Sequence, residues 1–343
     1  MTIRDLAKLS GYSLGTVSRA LNHQPNVSPK ARERILALAQ QYGFEINANA
    51  QNLKKQNSDS LLVIVKGSAN ELFARMVEVT QALAAQEQCP LLVDYIDEEE
   101  NEVRRAMKLS RERKPLGILF FGGTAQNFLS DYMHLSLPTV LVTNSAKGLP
   151  FGGLSSVTTD DIAASRTVCA FLVNSGHRRI AVIGGDLEVS EISRNRLEGC
   201  RRALAEAGLE VAAYRAARFS FEGGYRAMEK LLAHRKGITA VFAMADVMAL
   251  GAMRCIHDHG LRVPEDISVA GFDGLPYGQY SIPRLTTVAQ SAQALAETGY
   301  RVLREQIATG KTCHVCVPFS LIPGSSVCTL PSLGSPDGGA GSP

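Results

Sequence analysis

The sequence has no long apolar run, no apolar export segment and no regular pattern of cysteines. No run approaches the roughly 18 apolar residues of a membrane-spanning helix, so we expect no membrane span. The first residues, MTIRDLAKLSGYS, lack the apolar core of about 7–15 residues that export signals contain, which predicts a cytoplasmic protein. The seven cysteines are odd in number and scattered, and without an export signal we expect them to be reduced thiols.

The composition is that of an ordinary globular chain with a basic first segment. Of 343 residues, 45% are hydrophobic and 20% are charged, which excludes disorder, collagen and coiled coil as descriptions of the whole chain. Residues 1–57 contain eight Lys/Arg and three Asp/Glu, a net charge of +5. The remaining 286 residues carry 28 basic and 30 acidic groups, a net charge of −2. This asymmetry indicates a polyanionic partner for the first segment alone.

Residues 1–46 are predicted to form three short helices. Gly11 ends the first helix, Ser13 caps the second and Ser28 caps the third. The residues expected in the core are Ile3, Leu6, Ala7, Val17, Ala20, Leu21, Ile35, Leu36, Ala39 and Tyr42. Two helices joined at Gly11 have the layout of a helix-turn-helix, and the second carries hydroxyls, an arginine and an amide that suit DNA contacts. An ordinary helical bundle is the alternative at this point.

From residue 59 onward, after a polar linker at 47–58, apolar runs of strand length alternate with helix-length segments. The runs lie at 61–65, 91–95, 117–121, 138–142, 179–183, 240–243 and 267–271. The helical segments lie at 72–88, 99–113, 161–175, 194–207, 223–235 and 246–259. Runs that are hydrophobic throughout predict parallel strands covered on both faces, which is a doubly wound α/β fold. The length of 59–329 predicts two lobes, and the Gly/Ser/Pro-rich residues 330–343 predict a disordered tail.

Several stretches resemble the LacI/GalR family of bacterial transcription regulators. They include TIRDLAKLSGYSLGTVSRALN, SRNRLEGCRRALAEAGL, FSFEGGYRAMEKLL and ITAVFAMADVMALGAMRCIHDHGLRVPEDISVAGFDG. The resemblance extends to about residue 328, and the TVSRALN string is its most specific part. It implies an all-α helix-turn-helix bundle followed by a two-lobed, periplasmic-binding-protein-like domain with doubly wound parallel sheets. It also implies a homodimer or tetramer that binds double-stranded operator DNA and a sugar, sugar phosphate or purine effector.

The resemblance assigns DNA contacts to the second helix and to the linker. Thr16, Ser18 and Asn22 match positions that contact the DNA backbone, and Leu14, Gly15 and Arg19 match positions that select bases. Gly15 departs from the usual side-chain reader, so Arg19 and Leu14 carry more of the selection. The linker residues that match the family's hinge helix are Asn47, Ala50, Leu53 and Lys54. Leu53 occupies the position of a minor-groove wedge, and packing of this leucine on the body is the alternative.

The resemblance also assigns residues to an effector site between the lobes. They are Phe73, Asp160, Arg196, Phe219, Asp246 and Asp273. A flat aromatic face, an arginine and carboxylates are what recognition of a sugar or a base requires. The alternatives are core packing for the two phenylalanines, a helix cap for Asp246, a salt bridge for Arg196 and a turn for Asp273. Ala245 and Ile192 depart from sugar-sensing and purine-sensing members respectively, so the effector class stays open.

Three motifs suggest chemistry that their context does not support. Cys313 and Cys316 form a C-x-x-C pair without a second ligand pair, on a segment that is predicted to be a strand. The glycines at 184–185 fit neither a dinucleotide fingerprint nor a P-loop, and the acidic run 97–100 is expected at a helix N-terminus. We therefore expect no catalytic residues, no metal and no cofactor. The predicted function is an effector-modulated repressor; a solute-binding transport protein and an α/β enzyme are the alternatives.

Overall fold

A computed structural model of the chain describes residues 3–21, 27–42, 59–67, 70–234 and 237–331. The chain folds as two units, Met1–Ser58 and Asp59–Pro343. No helix among the described residues is long and apolar enough to cross a membrane.

Within its described residues, 3–21 and 27–42, the first unit contains three helices, as the sequence predicts. They are α1 (Ile3–Ser10), α2 (Leu14–Leu21) and α3 (Pro29–Gln41). Gly11 has φ +76° in the turn between α1 and α2, a conformation that glycine adopts without strain. Ser13 accepts a hydrogen bond from the Thr16 N–H at 3.2 Å, and Ser28 accepts one from the Ala31 N–H at 3.3 Å. Each serine satisfies an N–H that the first turn of its helix leaves without a partner.

The core of this unit is formed by Leu6, Val17, Ala20, Leu21, Ile35 and Ala39. Tyr42 was expected to join them, and this expectation is wrong. Tyr42 follows the last residue of α3, where the helix ends, and half of its side chain is exposed. Among the described residues of this unit the core thus consists of six small-to-medium side chains, and a core of this size is typical of a bundle of this length.

The second unit begins with a lobe built on a six-stranded parallel sheet. Its elements are β1 (Leu61–Lys66), α4 (Glu71–Gln86), β2 (Leu91–Ile96), α5 (Glu102–Arg113), β3 (Gly117–Phe121), α6 (Ala125–Asp131), β4 (Thr139–Val142) and β5 (Leu154–Thr159). The strand order is β11-β5-β4-β3-β1-β2, where β11 (His314–Val317) comes from the end of the chain. Strand β3 is buried at all five residues, as a strand covered on both faces should be.

The following lobe repeats this architecture. Its elements are α7 (Asp161–Asn174), β6 (Ile180–Gly184), α8 (Glu191–Ala205), β7 (Ala213–Ala216), α9 (Phe221–Ala233), β8 (Ala240–Ala243), α10 (Asp246–Asp258), β9 (Ser268–Asp273), α11 (Pro276–Tyr280) and β10 (Thr286–Gln290). The order is β12-β10-β9-β8-β6-β7, and β12 (Phe319–Ile322) pairs antiparallel with β10. The prediction of an α/β fold with doubly wound parallel sheets is confirmed.

Three chain crossings connect the two lobes. The chain leaves the first sheet after β5, returns after β10 through α12 (Ala292–Thr309), and passes from β11 to β12 at residues 317–319. Helix α12 packs on strands β3, β4 and β5 of the first lobe. At each crossing a single residue, Asp160, Ser291 or Pro318, separates the elements of the two lobes, so each lobe is assembled from two separate stretches of the chain.

Strands β5, β7, β10 and β12 were not predicted from the sequence. Their sequences, LSSVTT, AYRA, TTVAQ and FSLI, contain hydroxyl or charged residues that interrupt the apolar signal. The expected tail also begins too early. The Leu330 N–H donates to the Ser175 carbonyl at 2.8 Å, which fixes Leu330 to the second lobe.

Candidate functional site

The outward face of α2 carries the residues that were predicted to contact DNA. Val17, Ala20 and Leu21 are buried against α1 and α3, which leaves Leu14, Gly15 and Arg19 exposed. Thr16 and Ser18 are half-buried on the flanks of this face. The predicted contacts Asn22, Asn47, Ala50, Leu53 and Lys54 lie outside the described residues.

Gly15 and Arg19 lie one turn apart and contact each other. The Arg19 Nε–H donates to the Gly15 carbonyl at 3.1 Å, so the guanidinium lies along the helix surface. A Cβ at Gly15 would have the Arg19 Nη2 at 3.7 Å as its nearest neighbour, an ordinary contact distance. Packing therefore does not require glycine at this position.

A cavity of about 530 Å³ lies between the two lobes of the body. Residues that follow β1, β3 and β4 form one wall, and residues that follow β6, β7, β9 and β10 form the other. The carboxyl ends of both sheets thus meet at the cavity, which is where ligands bind in open α/β folds. Of the six predicted effector contacts, four line it: Phe73, Arg196, Phe219 and Asp273.

Each lobe contributes one phenylalanine to this cavity. Phe73, near the start of α4, is nearly buried and its ring lies 6.4 Å from that of Phe121. Phe219, in the loop after β7, is half-buried. Glycines make room for both rings, because a Cβ at Gly122 would lie 3.0 Å from Phe73 and one at Gly185 would lie 2.8 Å from Phe219.

Arg196 is the centre of a buried charge cluster in the second lobe. Its Nε donates to Asp161 Oδ1 at 2.8 Å, its Nη1 donates to the Met244 carbonyl, and its guanidinium carbon lies 3.7 Å from the centroid of the Phe272 ring. Asp273 Oδ1 lies 3.8 Å from Nη1. Arg196 therefore forms the salt bridge that was the structural alternative, and it also lies on the cavity wall.

Asp273 is held in a strained position at the end of β9. Its φ is +115°, a conformation that costs a non-glycine residue about 1–3 kcal/mol. Gln290 donates its Nε2–H to Asp273 Oδ1 at 2.8 Å. Burial raises the pKa of Asp273 to about 6, against the opposing effect of Arg196. Burial likewise raises the pKa of Asp161, and Arg196 opposes that rise. The strain places the Asp273 carboxyl beside Arg196 at the cavity.

Asp246 does not line the cavity. It is fully buried at the first residue of α10, where Oδ2 accepts the Leu275 N–H at 2.6 Å and Oδ1 accepts the Thr287 hydroxyl at 2.6 Å. Burial raises the pKa of Asp246 well above its ordinary value, and the Asp273 carboxylate adds to the rise. These bonds connect α10 to β10 and to the loop before α11, so the Asp246 carboxyl has a structural role that differs from the expected helix cap, since the N-cap of α10 is Ala245.

Asp160 also lies away from the main cavity, at the first lobe crossing. Its Oδ1 accepts the Ala163 N–H at 2.9 Å and so caps α7. It lines a separate polar pocket of about 210 Å³ that shares Thr143, Asn144, Glu191 and Ile192 with the main cavity.

The sequence analysis missed a second charge cluster, in the first lobe. Lys66, the last residue of β1, donates to Glu102 Oε2 at 2.5 Å, to Thr124 Oγ1 at 3.0 Å and to the Glu100 carbonyl at 2.8 Å. Glu102 is fully buried, and its other oxygen accepts the Thr124 N–H at 2.6 Å. A lysine that ends an apolar strand was the available signal, but nothing in the sequence indicates that Glu102 would reach it.

The acidic run 97–100 directly precedes the N-cap of α5, close to the helix N-terminus where it was expected, and Glu98 and Glu99 also line the cavity. Helix α5 begins at Glu102 and is capped by Asn101. Arg218 of the second lobe donates to Asp97 Oδ1 at 3.2 Å, and its Nε lies 3.6 Å from Glu98 Oε2. The Tyr277 hydroxyl donates to Glu71 Oε2 at 3.2 Å, also across the lobes. These exposed contacts join the lobes in the present conformation.

A helix-turn-helix unit and a two-lobed α/β body with a cavity between its lobes define a ligand-responsive DNA-binding regulator. Residues 2–47 match the model for bacterial regulatory proteins of the lacI family, and residues 169–327 match a periplasmic binding protein-like domain. The chain is 32% identical to the HTH-type transcriptional regulator MalR of Clostridium butyricum, over 94% of this chain and 98% of that protein. It is 31% identical to the transcriptional repressor CytR of Escherichia coli, over 89% of both chains. The chain belongs to the LacI family of transcriptional regulators.

Solved structures agree with this assignment. The lac repressor dimer bound to operator and the anti-inducer ONPF has a TM-score of 0.76 and 26% identity, and covers 96% of this chain and 99% of its own. A complex of the transcriptional regulator CelR with cellobiose has a TM-score of 0.71 and 26% identity, over 95% of this chain and 99% of its own. The predicted function, an effector-modulated DNA-binding repressor, is confirmed at this level.

Proposed function

We propose that this regulator binds a sugar or a sugar derivative in the cavity between the lobes, and that the effector sets the affinity for operator DNA. The observation that carries the proposal is the lining of the cavity: one phenylalanine from each lobe faces it, together with the buried Arg196, Asp273 and Gln290. Aromatic faces cover the apolar side of a sugar ring, while charged and amide groups bind its hydroxyls. No catalytic role is part of the proposal.

A purine is the second candidate effector. A flat base could lie against Phe219, and a carboxylate and an amide at Asp273 and Gln290 could pair with its edge, because an amide both donates and accepts. The same side chains thus serve either ligand, and binding assays with both classes separate them.

We propose that the active form is a cytoplasmic homodimer, with each helix-turn-helix unit in a major groove. Leu14, Gly15 and Arg19 would select bases from the exposed face of α2, and Thr16, Ser18 and Asn22 would anchor on phosphates. Asn47, Ala50, Leu53 and Lys54 would contact the central minor groove, with Leu53 as the wedge.

Coupling between the two sites is proposed to act through the three lobe crossings. A ligand that touches both lobes favours one angle between them, and only its preference for that angle can shift DNA affinity. Such coupling is typically about 1–3 kcal/mol and is reciprocal, so operator DNA must change effector affinity by the same factor.

The test is selection of bound duplexes from a random pool by the full chain, with and without candidate sugars and purines. We expect a pseudopalindromic sequence and a change in affinity of about fivefold or more with the right effector. Arg19→Ala should lower affinity for the selected duplex by about 10-fold or more while random DNA is bound almost as before. Equal losses on both duplexes would show that Arg19 contacts phosphate only.

A further inference from the structure

The charges that line the cavity are predominantly negative. Five carboxylates belong to its lining: Glu98, Glu99, Asp186, Glu191 and Asp273. Three cations belong to it: Lys66, Arg196 and Arg218. An anionic ligand would need a cation whose charge is not already balanced by a protein carboxylate, so the ion pairing of each cation decides what charge the cavity accepts.

The three cations are already engaged by protein groups. Lys66 donates all three of its ammonium protons, to Glu102, Thr124 and the Glu100 carbonyl. Arg196 is bonded to Asp161 and to the Met244 carbonyl, and Arg218 pairs with Asp97 and Glu98. Each of the three cations therefore forms an ion pair with at least one carboxylate. None of these three cations balances the negative charges of Glu99, Asp186 and Glu191.

Three backbone N–H groups at the cavity wall, which could otherwise bind a phosphate, already donate to protein side chains. Helix α8 begins at the cavity wall, where helix N-termini commonly bind anions. Here the Ser193 N–H donates to Ser190 Oγ at 3.2 Å, and the Gly185 N–H of the preceding glycine loop donates to Ser193 Oγ at 3.0 Å. In the opposite lobe the Leu72 N–H at the start of α4 donates to Asn70 Oδ1 at 3.0 Å.

Carboxylates stand at the remaining approaches to this helix. Glu191 is the first residue of α8 and is half-buried, and Asp186 ends the glycine loop. Burial raises the pKa of Glu191, and the Asp161 carboxylate adds to the rise although Arg194 opposes it, so the surroundings of this carboxyl already disfavour negative charge. A phosphate or carboxylate in the cavity would meet these two side chains first.

We infer that the cavity selects an uncharged, hydroxyl-bearing ligand, such as an unphosphorylated sugar or a nucleoside, and rejects its phosphorylated or carboxylated counterpart. Asp186 and Glu191 are the specificity-determining residues. Their carboxylates accept hydrogen bonds from ligand hydroxyls and repel anions. This inference rests on the proposed function for the place of the effector and narrows its chemistry.

The experiment measures binding by calorimetry to the full chain without DNA, using matched probes: galactose, galactose 6-phosphate and galacturonate; adenosine and adenosine monophosphate; and inorganic phosphate. The proteins are the unmodified chain, the double variant Asp186→Asn/Glu191→Lys, and the control Glu188→Gln, whose carboxylate lies in the same loop but does not line the cavity. Glu191→Gln, which removes one of the two carboxylates with little change of shape, serves if the double variant unfolds.

We expect the unmodified chain and the control to bind no anionic probe more tightly than its uncharged parent. The double variant should bind at least one phosphorylated probe about tenfold or more tightly than the unmodified chain does, because two like charges have been removed and one opposite charge added. Tight binding of an anionic probe by the unmodified chain would overturn the inference, and so would a folded double variant, or failing that a folded Glu191→Gln variant, that gains no affinity for any anionic probe. Operator binding is measured separately, so failure to select a duplex contradicts the proposed function alone.

Discussion

Two buried charge clusters face the same cavity from opposite lobes, and they differ in how many hydrogen-bond donors of their cation are available to a ligand. In the first lobe the Lys66 ammonium is fully hydrogen-bonded by Glu102, Thr124 and a backbone carbonyl. In the second lobe Arg196 has five N–H donors, of which Nε and Nη1 bond to protein groups, and Asp273 lies beside it at a strained φ. The first cluster is therefore suited to hold its wall together, and the second to respond to a ligand.

The largest effect is expected from Arg196→Ala. Removal of this guanidinium leaves Asp161 and Asp273 buried without their cation, which costs about 3–5 kcal/mol of folding free energy. Effector binding should be lost as well. Arg196→Lys is the matched control, since it restores charge without the planar fork and should recover stability in part. Chemical unfolding and calorimetry check both effects, and normal effector affinity in a folded Arg196→Ala variant would remove this residue from the site.

Lys66→Met should be almost as destabilising but should leave effector binding nearly intact. Glu102 is fully buried, so loss of its cation costs about 3 kcal/mol or more. The double variant Lys66→Met/Glu102→Gln removes both charges and should recover most of the stability. A large loss of effector affinity in the double variant would show that the two clusters share one role.

The pH dependence of stability should report on Asp273 in the cluster of the second lobe. The folded-state pKa of Asp273 is about 6, above the ordinary value of 3.8. A raised carboxyl pKa means that the folded state binds the extra proton, so stability falls as pH rises from about 4 to 6. The loss attributable to Asp273 is on the order of 3 kcal/mol.

Asp273→Asn should remove that part of the pH dependence. Arg196, Asp161 and Asp246 also interact with this carboxyl, so the comparison is between the unmodified chain and the variant at each pH. Unfolding by urea between pH 4 and pH 7 measures it. If the two stability curves stayed parallel through this window, the Asp273 carboxyl would not be the titrating group.

The smallest effect is expected from Arg218→Ala. This exposed guanidinium joins the lobes through ion pairs with Asp97 and Glu98. Ion pairs at the surface contribute little free energy, because water and salt screen them. We expect effector affinity to change by about twofold to fivefold at low salt and by less at high salt. Arg226→Ala is the control, because Arg226 makes an exposed ion pair with Glu222 within α9, inside one lobe. Equal changes of effector affinity in both variants would show that the contact between the lobes has no specific role in effector binding.

The periodic elements of the fold were predictable because their signals are local. The apolar runs at β1, β3, β6 and β8 are buried throughout, and serine caps mark where α2 and α3 begin. Strand β5 was not predictable, since LSSVTT looks polar and its burial depends on a neighbour, β11, that lies more than 150 residues further along the chain.

The candidate site was predictable in its positions but not in its bonding. Resemblance selected Arg196 and Asp273, whereas the pairing of Arg196 with Asp161, and of Lys66 with Glu102, depends on tertiary contacts across 35 and 36 residues. Asp246 illustrates the opposite error. A carboxylate at the start of a helix after a strand fits a ligand contact, but Thr287 and the Leu275 N–H occupy it.

The most direct test of the account measures the affinity of the full chain for its selected duplex, with and without the effector, in the unmodified protein and in Arg196→Ala. The account predicts a change of about fivefold or more in the unmodified protein and none in the variant, with equal affinity of both proteins for DNA in the absence of effector. An effector-dependent change that persists in a folded Arg196→Ala variant would contradict it.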